Sequence, residues 1–317
     1  MTEKRPMVIL TGPTAVGKTA LSIELAKKIN GSIISADSMQ VYRHMDIGSA
    51  KVKPEEMNGV KHYLIDEFEP DEEFHVVKFV ERAKEHLEEI YAEEKIPIIA
   101  GGTGFYIQAL LYDIDFTEQE CDEAYRAELE LLAAEKGAHY LHNMLREVDP
   151  ASADAIHANN IKRVIRALEF YHLSGKRISE HNEKEREKTS PYHFAYFVLT
   201  DERPHLYANI DKRVDLMIEQ GLVDEVQKLK NMGFHRDMVS MQGLGYKEIL
   251  DYLDGKTTLE EAIYIIKRET RHFAKRQLTW FRRERDVIWL DKQAYDYQDA
   301  KILDSMINIL KEKTIIN

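Results

Sequence analysis

The stretch Gly12-Pro-Thr-Ala-Val-Gly17-Lys18-Thr19 constrains this chain more than any other. It fits the pattern G-x-x-x-x-G-K-[ST] at every fixed position. An apolar run, Met7–Leu10, precedes it, and Leu21, Leu25 and Ile29 follow at helical spacing. A strand that turns through such a loop into a helix aims backbone N–H groups and a helix N-terminus at an anion. Gly12 and Gly17 permit the tight turn and a close approach to phosphate oxygens. Pro13, Thr14, Ala15 and Val16 form the loop between them. Lys18 adds a positive charge, and Thr19 offers a hydroxyl to Mg²⁺. The motif does not say whether the phosphate is ATP's or another ligand's.

The runs around it extend the fold. Met7–Leu10, Ile33–Ile34, Tyr63–Ile65, Ile96–Ala100, Ala195–Leu199 and Val287–Leu290 are short, apolar and often β-branched. That pattern suits strands buried on both faces of a parallel sheet. Alternation with helical patterns after a phosphate loop predicts an α/β fold, a P-loop NTPase-like parallel sheet core. Its ligands belong at the carboxyl ends of the strands. Between Ile114 and Pro191 strand signals stop, and helical patterns appear at Ala124–Glu135, Ala138–Glu147 and Asn160–Leu173. Residues 115–190 therefore read as a helical insertion domain, and 1–114 plus 191–317 as the catalytic core. The polar tract His181–Lys188 reads as a loop or a solvated helix. Further helices are expected around Ile210–Gln220, Leu222–Asn231, Tyr246–Tyr252 and Leu259–Arg283.

Composition narrows the class. Cys121 is the one cysteine among 317 residues, which excludes an intrachain disulfide and a cysteine-cluster metal site. No apolar run is long enough to span a membrane, and the charged start MTEKRP leads directly into a strand. A cytoplasmic enzyme is the expectation. The net charge of −12 speaks against nucleic acid on average, but its distribution is uneven. Acid gathers in 66–94, and base gathers at Lys267, Arg268, Arg271, Lys275, Arg276, Arg282, Arg283 and Arg285. A local basic face is what binds a phosphate backbone.

ATP cleavage would ask for an Asp after an apolar strand to organise Mg²⁺. The strand Ile96–Ala100 instead runs into Gly101-Gly102-Thr103-Gly104, where the glycines admit a ligand and Thr103 can hydrogen-bond it. A packing turn before a helix is the plainer use. The early acid is Asp37, in Ser35-Ala-Asp-Ser-Met-Gln-Val-Tyr-Arg43. It could ligate magnesium, cap a helix or act as a base. Ser38, Met39 and Gln40 extend it into a strip able to read a second substrate. Two basic helical faces stand further on: Lys162, Arg163 and Arg166 beside the stripe Ile161, Val164, Ile165, Leu168, and Lys267, Arg271 and Lys275 beside Ile263, Ile266, Thr270, Phe273, Gln277 and Trp280. Each is either a polyanion-binding face or a solvated, salt-bridged one.

Taken together these blocks resemble the tRNA dimethylallyltransferases of bacterial type, also called tRNA isopentenyltransferases. The resemblance runs through GPTAVGKT (12–19), SADSMQVYRHMDIGSAK (35–51), GGTGFYI (101–107), NIKRVIRALE (160–169), the RVD…GLVDEV stretch (213–226), MQGLGYKE (241–248) and KRQLTWFR (275–282). The chain departs from the family pattern at Gly48-Ser-Ala-Lys-Val52, at Lys61-His62 and at Asn209. The resemblance implies that the loop 12–19, with Arg213, holds the diphosphate of dimethylallyl diphosphate. It implies Mg²⁺ at Thr19, and transfer of the five-carbon group to N6 of the adenosine 3′ to the anticodon. Asp37, Thr103 and Arg126 become the catalytic candidates. Asp37, Ser38, Met39, Gln40, Thr103, Arg126, Lys162, Arg163, Arg166, Lys267, Arg271 and Lys275 become contacts to the tRNA anticodon stem-loop. A monomer is expected. A P-loop nucleoside or nucleotide kinase, an isopentenyltransferase of free adenine nucleotides, and an RNA-binding protein with a relic phosphate loop are the competing readings. For Arg126, among Glu123, Glu128 and Glu130, an ion pair is the plain alternative, as a solvated helix charge is for Arg213. The segment Gln242–Lys247 is open between a loop near the base channel and a helix connector.

Overall fold

The computed structural model describes residues 4–116 and 122–317, apart from the side chain of residue 186; Cys121 lies outside the described residues. The chain divides into two compact units, one of Met1–Leu111 with Pro191–Asn317 and one of Tyr112–Ser190.

The first unit is built on a six-stranded, all-parallel sheet. In chain order its first half runs β1 (Pro6–Thr11), α1 (Lys18–Ile29), β2 (Gly31–Ala36), β3 (His62–Tyr63), α2 (Val76–Ala92), β4 (Ile96–Gly101) and α3 (Gly104–Leu111). The strand order is β3-β2-β4-β1, followed by two strands from the second half. The chain thus moves outward from β1, returns to β4, and later crosses to the other side of β1. This makes β1 the switch strand, beside which α/β folds bind their ligands. Met7, Val8, Ile9 and Leu10 are fully buried, as the unbroken apolar run requires of a strand covered on both faces. Register aligns Thr11 with Gly101 and Ala36 with Gly101, so β1, β2 and β4 end together at one edge.

The second unit carries α4 (Glu123–Lys136), α5 (Ala138–Val148), α6 (Pro150–Ala155), α7 (Ile161–Ser174) and α8 (Ile178–Glu187). Its own core gathers Leu129, Leu141, Leu145, Val164, Ile165 and Leu168. Buried Asp149 caps α6 through Ser152 N–H and also accepts from the Ser179 backbone and hydroxyl, tying α8 to α6. The polar tract 181–188 is thus largely helical, held by its first turn rather than by an apolar stripe.

The first unit resumes with β5 (His193–Thr200), α9 (Arg203–Glu219), α10 (Leu222–Asn231), α11 (Tyr246–Leu253), α12 (Leu259–Phe281), β6 (Val287–Asp291) and α13 (Asp299–Glu312). β5 pairs with β1, and β6 with β5. α12 starts at a capping box, Thr258 with Glu261, and its inner side buries Ala262, Ile266, Ala274, Gln277, Leu278 and Phe281. One side of the sheet is closed by Leu21, Leu25, Leu206, Ile210, Ala274, Ile302, Met306 and Leu310 from α1, α9, α12 and α13.

Candidate functional site

The phosphate loop follows from local sterics. Gly12 takes φ 148, and a Cβ there would lie 2.2 Å from the Leu199 carbonyl oxygen of β5. Gly17 takes φ 98 as the N-cap of α1, a left-handed conformation that side chains resist. Ala15, also left-handed at φ 63, carries a residue other than glycine in that region, a strain that clusters at ligand-binding loops. The first-turn amides of α1 are left open toward the strand ends.

Lys18 folds back over this loop and donates to the Gly12 and Pro13 carbonyls at 2.9 and 2.7 Å. Burial, with nearby Arg213 adding to it and Asp37 opposing, pushes its ammonium down to about 7. Arg213, on α9, is also lowered by burial, again against the pull of Asp37. Two cations and one carboxylate, all half-buried, thus share the pocket. An arriving anion relieves their mutual repulsion.

The cavity at the strand ends measures about 100 Å³. Thr14, Lys18, Thr19, Asp37, Gln40, Gly101, Gly102 and Arg213 meet there, and Ile33, Val52, Ile65 and Phe273 also line it. The outward-opening groove next to it shares Thr19 and Arg213. Asp37 is half-buried at the end of β2. Its Oδ1 accepts from Met39 N–H at 2.8 Å and Gln40 N–H at 3.4 Å. The capping role is therefore present, at a turn rather than a helix, and it uses one carboxylate oxygen. Ser38, Met39 and Gln40 are half-buried beside it. Thr103 sits at the start of α3, its N–H bonded to Ala36 and its carbonyl to Tyr106 and Ile107.

The remaining candidates are placed as follows. Arg126 is on α4, where its guanidinium pairs with buried Glu169 at 2.7 Å; the ion pair is formed within the second unit. Lys162, Arg163 and Arg166 are exposed on α7. Lys267 and Arg271 pair with Asp215 and Asp211 of α9 at 2.6 and 2.8 Å. Lys275 faces a small hollow of about 30 Å³ with Arg203 and Arg282.

Three contributors were not singled out from sequence. Gln277, buried in α12, accepts from Thr14 N–H and donates to the Gly102 carbonyl, both at 2.9 Å. It joins the phosphate loop to the glycine loop after β4. Its signals were a polar residue at a core position of the helical stripe and its place in the KRQLTWFR block. His62 lines the cavity, its Nδ1 bonded to the Val60 carbonyl, and burial lowers its pKa. Lys292, after β6, stands 3.5 Å from the Val16 carbonyl and pairs with Asp299.

A metal at this site fits Mg²⁺ chemistry better than a many-liganded cage. Mg²⁺ keeps waters and takes few protein oxygens besides substrate phosphates. The Thr19 hydroxyl and the Asp37 carboxylate are such oxygens. Among the described residues, no three His, Cys, Asp or Glu side chains converge.

Comparison with known proteins agrees across nearly the whole chain. The family model for IPP transferases matches residues 40–284. A tRNA dimethylallyltransferase of Lachnoclostridium phytofermentans is 65% identical over 312 residues, 98% of this chain and 99% of the relative. The crystal structure of the full-length tRNA isopentenylpyrophosphate transferase of Bacillus halodurans superposes with a TM-score of 0.73 at 46% identity, covering 98% of both chains. A eukaryotic dimethylallyltransferase acting on tRNA superposes with a TM-score of 0.78 at 31% identity, covering 90% of this chain and 74% of its own.

Proposed function

The chain belongs to the IPP transferase family, and from that premise we propose that it transfers a dimethylallyl group from dimethylallyl diphosphate to N6 of the adenosine 3′ to the anticodon of tRNA. One observation carries the reading: the phosphate loop and Asp37 line a single cavity to which Ile33, Val52, Ile65 and Phe273 add apolar surface. A diphosphate, a short hydrocarbon and an amine are the three things such a cavity suits.

We assign the roles as follows. The 12–19 loop amides, Lys18 and Arg213 hold the diphosphate and neutralise it as the C1–O bond breaks. The Thr19 hydroxyl would hold a Mg²⁺ ion, which when bound would supply further positive charge at the leaving group. The adenine N6 forms the bond to C1, and its proton passes to Asp37. Oδ1 of Asp37 is engaged by Met39 and Gln40, so Oδ2 is the accepting oxygen. Ser38, Met39 and Gln40 read the base, with Thr103 at the end of the neighbouring strand. Arg126, Lys162, Arg163, Arg166, Lys267, Arg271 and Lys275 serve the tRNA, whose loop base is flipped at a cost of a few kcal/mol. We place the enzyme in the cytoplasm as a monomer; no helix among the described residues is long and apolar enough to cross a membrane. Against the kinase reading, β4 ends in Gly101 and Gly102, where ATP cleavage would want an acid.

The test is a transfer assay with labelled dimethylallyl diphosphate and Mg²⁺. Unmodified tRNA, AMP or ADP, or no acceptor is supplied. Label is expected on tRNA alone. Label on the free nucleotide overturns the acceptor assignment, and phosphate release from ATP with no prenyl transfer overturns the reaction.

A further inference from the structure

The segment Met241–Glu248 lines neither the phosphate cavity nor the adjoining groove, yet it is packed against the strip that carries Asp37. A Cβ on Gly243 would fall 2.5 Å from the Met39 methyl carbon, and one on Gly48 would fall 2.6 Å from the Tyr246 ring. Both glycines are contact points between the two segments. Ser240 donates to the Pro70 carbonyl at 2.6 Å behind them.

Glu225 of α10 completes the arrangement. Its Oε2 accepts from the N–H groups of Asp46 and Ile47 at 3.0 and 2.8 Å. Its Oε1 accepts from Gly48 N–H at 3.1 Å and from the hydroxyl of fully buried Tyr246 at 2.8 Å. Four donors match the capacity of one carboxylate, with no cation among them. The turn held in this way is functional surface: Ser49 and Val52 line the cavity. The carbonyls of Ser49 and Ala50 accept from Gln40 Nε2 at 3.4 and 3.2 Å. Ser35 donates to the oxygen of the same amide at 3.2 Å, and the Gln40 N–H reaches Asp37.

We propose that Glu225 and Tyr246 are positioning residues for the acceptor base: they fix the 46–50 turn, which fixes the Gln40 amide in register with Asp37. The proposal rests on the reading of residues 37–40 as the acceptor strip. It gives the 241–248 block a task, the bracing of base recognition from behind. Gln40 is the group that touches the base; Glu225 and Tyr246 act through it.

The test measures steady-state transfer to an anticodon stem-loop for the wild type, E225Q, Y246F, Q40A and Q40A/E225Q. A glutamine at 225 presents an NH₂ to two of the four donors. The KM for the stem-loop is expected to rise about tenfold in E225Q and about threefold in Y246F, while the KM for dimethylallyl diphosphate stays within about twofold. Because Glu225 acts through Gln40, the double variant is expected to be no worse than Q40A. Equal shifts in both KM values, multiplied effects in the double variant, or an unmoved stem-loop KM overturn the proposal. If E225Q does not fold, Y246F decides alone, since it keeps the ring against Gly48 and loses only the hydroxyl. A wild type that transfers nothing to the stem-loop overturns the function itself; normal transfer with unmoved variants overturns only this inference.

Discussion

The side-chain amide of Gln277 takes the Thr14 N–H on its oxygen and gives its own N–H to the Gly102 carbonyl, spanning two loops at the carboxyl edge of the sheet. Replacing it removes both bonds, each contributing about 0.5–1.5 kcal/mol. Q277A is expected to fold and to bind inorganic diphosphate about tenfold more weakly. Q277E is expected to be worse, since its carboxylate cannot donate to Gly102 and adds negative charge beside the anion. Titration calorimetry with Mg²⁺-diphosphate orders the three proteins.

Two neighbouring glycines separate folding from binding. A Cβ on Gly101 would stand 2.2 Å from the Ala36 carbonyl oxygen, a rigid backbone contact. A Cβ on Gly102 would meet the Gln277 amide nitrogen, the end of a side chain that can turn away. G101A is therefore expected to give little folded protein. G102A is expected to fold and to show the diphosphate defect of Q277A. Thermal melts and the same calorimetry distinguish them.

Asp37 both caps a turn and faces the cavity. D37N keeps an Oδ1 for Met39 and Gln40 but cannot take a proton. It is expected to retain the wild-type melting temperature and tRNA affinity while losing about 10²–10⁴ in kcat. D37A should lose the turn as well and melt lower. A D37N enzyme with near-normal kcat would leave Asp37 as a cap only.

The basic stripe on α12 is not uniform. Lys267 and Arg271 spend charge on Asp215 and Asp211, whereas Lys275 lies beside Arg203 and Arg282. K275A is expected to reduce the slope of log K against log salt for tRNA binding by about 1. K267A should reduce it less, since removing it frees a carboxylate that repels the same backbone. Filter binding across a salt series reads both.

Burial pushes Glu284 up to about 7, opposed by Trp280 and Arg285. A carboxyl raised above its unfolded value stabilises the fold relative to high pH below about 4.5, and this contribution is lost as pH rises through 7. E284Q, which keeps an acceptor for the Gln108 amide, is thus expected to melt about 2–3 °C above the wild type at pH 8 and level with it at pH 4.5. An equal offset at both values refutes the titration.

How much of this was legible in the sequence depended on distance along the chain. The phosphate loop is local: strand, glycines, lysine and helix lie within 24 residues, and each dictates its own geometry. The inner strands β1, β2, β4 and β5 announced themselves as apolar runs because a parallel sheet buries both of their faces. The bridges did not. Gln277 reads as one more position on the inner stripe of α12, and only its 263-residue reach to Thr14 gives it meaning. Glu225 reads as a helix charge until three amides 177–179 residues away close on it. Asp215 and Asp211, the partners of Lys267 and Arg271, stand at the same four-residue spacing. Nothing in the sequence set the two helices side by side.

The phosphate loop stands near the start of the chain and depends on its end. β1 pairs with β4 and β5, Gly12 abuts Leu199, and Thr14 awaits Gln277. At ribosomal speed, about 5–20 residues per second, roughly 15–50 s separate the emergence of the loop from that of its last support. β1 gains its last strand partner when β5 emerges, but the loop still lacks Gln277. The site's first residues are therefore made long before the helix that braces them, and the phosphate loop reaches its finished form only after α12 has been synthesised.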